Sequence, residues 1–237
     1  MSNQEKEIKA QNEIDIIGNT AYREFSDAAD YIWKTPRFIE KEFKDEMQKL
    51  PDDPKIARLR WHFESKKLKH VFPFLLATGN LFSATSLFEI YLLRLSKELE
   101  KITGNDLSSV NGQGVQRVFN FLKACRIKPD SIRLWPQIDA AIKIRNCLSH
   151  ASGLLEWSRD EKELRRIVRS GTFLSKDNRK GYQEVHGGLD QVIIYASGFG
   201  DRIQISNNYS FLSCAYYRDF FIELCEKSKE RKWDGSN

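Results

Sequence analysis

The sequence predicts a mainly α-helical fold: a bundle with one small β-hairpin inserted before the last helix. Apolar residues recur three or four apart along most of the 237 residues, the period of helices with one buried side. Breaks such as Thr103-Gly104-Asn105-Asp106 punctuate these runs with residues that supply left-handed helix caps. Only Gln191 to Ala196 and Arg202 to Ser206 have β-like texture, and the Ser197-Gly198-Phe199-Gly200-Asp201 segment between them reads as a hairpin connection.

Composition supports a packed globular chain. The hydrophobic fraction is 41%, with 15 Phe and 5 Trp, which is enough for a sizeable core. Charged residues make up 30% and the mean hydropathy is −0.54, which favours a water-facing exterior. The 38 Lys and Arg outnumber 33 Asp and Glu for a net charge of +5, a balance that permits an anionic partner without requiring one. Cys125, Cys147, Cys214 and Cys225 form no CxxC pair and no zinc-like pattern with the four histidines. They read as reduced, buried thiols, and no metal or other cofactor is expected. The first thirty residues are polar and lack a signal-peptide core, so the expected location is the cytoplasm. The apolar stretch Phe72 to Leu95 is interrupted by Pro73, Gly79, Asn80, Glu89 and Arg94. It is therefore expected to be a buried core helix, and no membrane partner is expected.

The elements follow in order. From Tyr22 to Leu50, Phe25, Ala28, Ala29, Ile32, Trp33, Ile39, Phe43 and Met47 keep near-helical spacing, with a break or kink at Pro36. Pro51-Asp52-Asp53-Pro54 ends this segment, so residues 1–54 are assigned to an N-terminal helical extension. Residues 55–71 form a basic amphipathic helix, and Ala77 to Ile102 the longest core helix. Residues 113–125 form a shorter one, with Val115, Val118, Phe119 and Leu122 on one side. Trp135-Pro136 then opens the next helix, because proline's missing N–H is harmless in a first turn. Gly153 lies beyond that helix as its terminator. A charged helix follows at about 158–170, Tyr182 to Val185 are candidates for a third strand, and Tyr209 to Lys229 return to helix. The main domain is thus expected over 55–230, with the hairpin region at about 182–207 and a tail at 231–237.

The chemistry concentrates in Arg145-Asn146-Cys147-Leu148-Ser149-His150, followed by Ala151-Ser152-Gly153. Arginine supplies a permanent planar cation for phosphate oxygens, and histidine moves protons near neutral pH. The other histidines, at 62, 70 and 186, have no arginine five positions earlier. Five positions are about 500 degrees of helical turn, which leaves Arg145 and His150 about 140 degrees apart. They meet only if Arg145 reaches round, the helix opens, or a second subunit contributes. Asn146 and His150, four apart, do share a face.

This arginine, four residues, then histidine at a helix end resembles the defining signature of the HEPN superfamily. The long helix with an internal acid (Ser86-Leu87-Phe88-Glu89), the motif helix, the hairpin and the closing amphipathic helix follow the order of many members, over roughly residues 72–228. The resemblance implies a HEPN-like helical bundle and a homodimer in which two motif helices line one cleft. It further implies a metal-independent endoribonuclease that cuts RNA through its own 2′-hydroxyl, leaving a 2′,3′-cyclic phosphate and a 5′-hydroxyl, in a toxin or antiviral defence setting. On that reading Arg145, His150 and Asn146 are catalytic, and a protein antidote is a possible partner. Arg58, Arg60, Lys66, Lys67 and Ser149 are candidates for substrate contact, because Arg58 to Lys69 mixes five cations with two aromatics and one acid. Glu89 is a supporting residue, either a partner of Arg145 or a local ion pair. The alternative is a non-catalytic HEPN module that binds nucleotide, RNA or protein. In that case His150 caps carbonyls and Arg145 pairs with an acid.

Overall fold

A computed structural model describes residues 3–230; the expected tail at 231–237 lies outside the described residues. Among the described residues, nine α-helices and one two-stranded sheet run α1 (Asn3–Lys34), α2 (Pro36–Gln48), α3 (Pro54–Lys66), α4 (Phe72–Thr103), α5 (Gly114–Ala124), α6 (Trp135–His150), α7 (Glu161–Ser170), α8 (Lys176–His186), β1 (Val192–Ser197), β2 (Gly200–Ile205) and α9 (Asn207–Glu230). The fold is mainly α, with the hairpin immediately before the C-terminal helix.

Local chemistry sets the boundaries. Thr35-Pro36 separates α1 from α2, since proline cannot donate the next helical hydrogen bond. Asp53 caps α3 by accepting from the Lys55 and Ile56 amides. Residues Lys67–Val71 join α3 to α4 as a π-helical turn, in which the Phe72 amide donates to the Lys67 carbonyl. Pro73 accounts for the widening: it has no N–H, and its ring displaces the carbonyl four residues back. Gly104, at φ +70, ends α4 in the left-handed conformation.

The resulting run from Pro54 to Thr103 is long and apolar enough to cross a membrane, with 33% of its most apolar window buried. Core helices of water-soluble folds meet the same criterion, and the buried side of α4 lines two contiguous cores. One joins Phe88, Tyr91 and Leu95 to Ile14, Ala21 and Phe25 of α1, Phe119 and Leu122 of α5, and Tyr217, Phe220 and Phe221 of α9. The other joins Ala77 and Leu81 to Ile144 and Leu148 of α6, Leu164 and Ile167 of α7, and Val192 and Ile203 of the hairpin. α1 therefore shares its core with α4 and α9. A part-buried polar knot ties α4 to the end of α1 and the start of α9: Asn80 donates to Asn207 Oδ1 at 2.8 Å, and Asn207 donates to the Ile32 carbonyl at 2.7 Å.

Two expectations are corrected. Tyr182 to Val185 form no strand. They belong to α8, which Ser175 opens by accepting from the Asn178 amide and Gly187, at φ +69, closes. These caps outweigh the β preference of Tyr and Val. The hairpin is also tighter than the five-residue connection suggests: β1 and β2 pair antiparallel from Val192↔Ile205 to Ser197↔Gly200, leaving only Gly198 and Phe199 in the turn. The Ser197 hydroxyl donates to the Gly200 carbonyl at 2.6 Å and holds that turn closed.

Candidate functional site

The motif occupies the last turn and a half of α6. Ile138, Ala141, Ile144, Cys147 and Leu148 are buried, Arg145 and Asn146 are half-buried, and Ser149 and His150 are exposed. At its start, Trp135 packs edge-on against Phe119 at 4.9 Å. Gln137 donates to the Thr172 and Leu174 carbonyls, both at 3.1 Å, and so fixes the loop between α7 and α8.

The helix stays regular through His150, so the motif does not open. Closure comes from the backbone: the amides of Ala151 and Gly153 both donate to the Cys147 carbonyl at 3.0 Å. Ser152 at φ 50 and Gly153 at φ 80 make the reversal. The hairpin then grips the turned chain. The Ile203 amide donates to the Gly153 carbonyl at 2.8 Å, and Arg202 donates to the Ser152 carbonyl at 2.6 Å. With the helix end closed in this way, the imidazole is not used as a cap. Among the described residues the His150 side chain has no hydrogen-bond or ion-pair partner.

Arg145 is held differently. Its guanidinium donates to Asn146 Oδ1 at 3.1 Å and lies 6.0 Å from the Phe82 ring centroid. Its Nη2 is 4.0 Å from Glu89 Oε1, with both side chains part-exposed, so the ion pair is weak. Its Nε is buried without a partner. Phe82 and Glu89 are seven apart, two turns along one side of α4, and Arg145 spans the interval. Thr85 lies between them, 3.0 Å from the Tyr217 hydroxyl, whose pKa burial pushes up. The Glu89 carboxylate also lies beside Gly114, the first residue of α5, where free amides favour negative charge. Glu89 is thus placed between a cation and a helix N-terminus.

The cluster is therefore Arg145, Asn146 and Glu89 along α4, with His150 free at the helix tip. Ser149 is exposed, and its hydroxyl donates to the Asn146 carbonyl at 3.3 Å. The other substrate candidates are not part of the cluster. Arg60 pairs with Glu46 on α2 at 3.1 Å, and Lys67 pairs with Glu64 at 2.8 Å. Arg58 and Lys66 are exposed on α3. At 1.5 Å per residue, even Lys67 lies about 33 Å along the helix axis from Glu89. Among the described residues no group of three His, Cys, Asp or Glu side chains is arranged to hold a metal ion.

No family model matches the chain, and neither does any curated protein or any solved structure. The site therefore rests on its own geometry.

Several residues beside the motif had no signal in the sequence. Trp157 is 73% exposed and Phe199 83% exposed. They flank the close approach of Glu156 to Gly200, where an added Cβ would sit 3.3 Å from the carboxylate. Arg165 of α7 donates to Asp201 at 2.8 Å and ties α7 to the same hairpin tip. Spacing along a chain says nothing of exposure at a tertiary junction.

Proposed function

We propose that the chain is a metal-independent endoribonuclease of HEPN type, working as a cytoplasmic homodimer in a toxin or defence setting. The observation that carries this reading is His150: a histidine at the tip of a helix whose end is already closed by backbone bonds, exposed and unpartnered, five residues after a cation held by Asn146 and Glu89. A structural histidine in that position would be expected to bond a carbonyl or an acid. This one is free to exchange protons with a ligand.

The chemistry requires one proton taken from the RNA 2′-hydroxyl, one given to the departing 5′-oxygen, and support for charge on phosphorus. The 2′-oxygen bonds to phosphorus as the bond to the 5′-oxygen breaks, which yields a 2′,3′-cyclic phosphate and a 5′-hydroxyl. His150 performs the proton transfers. Arg145 supports the phosphate oxygens, and Asn146 aims its guanidinium. Because α6 is regular, Arg145 and His150 diverge on one helix. A second copy across a two-fold axis supplies the missing half, the arginine of one protomer meeting the histidine of its partner.

A second reading has its own observation. Arg145 is half-buried and engaged by Phe82, Asn146 and Glu89, as a structural arginine would be, and this favours a non-catalytic module that binds nucleotide, RNA or a protein partner. Incubating wild type, His150→Ala and Arg145→Ala with RNA in EDTA, at matched fold and oligomeric state, separates the two. Cleavage by wild type alone supports the nuclease. Intact RNA with wild type, or equal cleavage by either variant, removes it.

A further inference from the structure

The face of α3 that points away from the protein is apolar. Ile56, Leu59 and Phe63 are three and four apart, so they form one stripe, and they are 57%, 62% and 58% exposed. The opposite side makes the contact with the body: Trp61, about 200 degrees from Leu59 and Phe63, packs edge-on against Phe43 of α2 at 4.9 Å. No residue of α3 is buried. The helix therefore stands off the fold as a ridge, with its apolar stripe outward, the reverse of an ordinary surface helix.

Cations rim this stripe. Lys55 lies four before Leu59 and Lys66 lies three after Phe63. Both are exposed, and among the described residues neither has an ion pair. The one acid from Pro54 to Val71 is Glu64, already occupied by Lys67 at 2.8 Å. An exposed apolar stripe flanked by unpaired cations on a convex helix matches a surface that is apolar beneath and negative on top.

We propose that the outward face of α3 is a peripheral docking surface for an anionic lipid membrane. Ile56, Leu59 and Phe63 enter the boundary between headgroups and acyl chains, while Lys55 and Lys66 meet the phosphates. The helix lies on the bilayer and does not cross it. The proposal departs from the expectation of no membrane partner, and it gives Lys66 a role separate from the motif. It is independent of RNA cleavage. The convex shape distinguishes a membrane from a peptide ligand, which would need a groove to enter.

The test uses the full chain and sedimentation with two kinds of vesicle, phosphatidylcholine alone and phosphatidylcholine mixed with phosphatidylserine. Wild type is expected to sediment with the mixed vesicles only, and to be largely released at high salt. Leu59→Glu/Phe63→Glu and Lys55→Glu/Lys66→Glu alter exposed positions and should keep the wild-type circular dichroism. Each should weaken vesicle binding by about tenfold. Failure of wild type to bind the mixed vesicles overturns the proposal, as does equal binding by both variants. Light scattering supplies a further check: if wild type ignores vesicles and Leu59→Glu/Phe63→Glu halves its mass, the stripe belongs to a second copy and the membrane is excluded.

Discussion

At the scale of single residues, His150 and Arg145 are held so differently that their substitutions should behave differently. His150 is exposed and bonds to nothing among the described residues, so His150→Ala should change unfolding free energy by less than about 0.5 kcal/mol. On the proposed function, the same change should lower RNA cleavage by about 10²-fold or more, since it removes the group assigned the proton transfers. Urea denaturation and RNA turnover on one preparation test both halves, and a large stability loss would return the histidine to a structural role. Arg145 should show both kinds of effect. Its guanidinium bonds Asn146 and lies over Phe82, so Arg145→Ala should cost about 1–2 kcal/mol in addition to activity. Arg145→Lys keeps the charge but not the planar fork, and is expected to leave cleavage near the alanine level. The 4.0 Å separation from Glu89 predicts a coupling below about 1 kcal/mol in a double-mutant cycle of Arg145→Ala with Glu89→Ala.

At the scale of elements, the end of α6 is where sequence and structure agree most closely. Pro136 marked its start and Gly153 its stop, both because backbone chemistry is local and shows in residue type. The turn at 152–153 allows a test of that local chemistry. Ser152 holds φ 50, so Ser152→Gly should stabilise the protein by about 0.5–1 kcal/mol. Gly153→Ala should do the reverse, by about 1–2 kcal/mol, because it adds a Cβ at φ +80 only 3.1 Å from the Ile203 carbonyl. Urea midpoints read both, and cleavage by Gly153→Ala should fall with stability if the hairpin must hold the helix tip. Other elements were harder to read. Tyr182 and Val185 carry strand-like residue preferences, which the Ser175 and Gly187 caps override. The apolar outer face of α3 was hidden because a helical stripe is assumed to face the core unless the neighbouring helix is known. The exposure of His150 was equally hidden, since it depends on Gly153 and the hairpin closing the helix end without it.

At the scale of the whole molecule, the helical class was legible because periodicity alone reports it, but the joining of α1 to α4 and α9 was not. A stripe of Phe25, Ala29 and Ile32 shows that α1 has a buried side and leaves its partner unnamed. Two thiols report on that packing. Cys214 donates to the Phe25 carbonyl at 3.5 Å, and Cys225 sits 3.7 Å from where a Gly18 side chain would begin. Burial pushes both thiols up to about 12 from an ordinary 9, and it raises the buried Tyr209 and Tyr217 hydroxyls as well. Each of these groups is neutral when protonated and binds its proton more tightly in the folded state. Their contribution is therefore complete below the unfolded pKa values, about 8.5 for Cys and 10 for Tyr. It is lost as pH rises toward the folded values, because the unfolded chain ionises first. Each thiol should remove about 1.4 kcal/mol per pH unit within that window, so the urea midpoint should fall steadily from about pH 9 to pH 11 and the tyrosines should steepen the fall above about pH 10. Cys214→Ala/Cys225→Ala should reduce the slope of the fall between about pH 9 and 10, where thiols contribute most. A wild-type midpoint that stays level across that interval would mean the thiols are open to water, and α1 is then not packed against α9 as described.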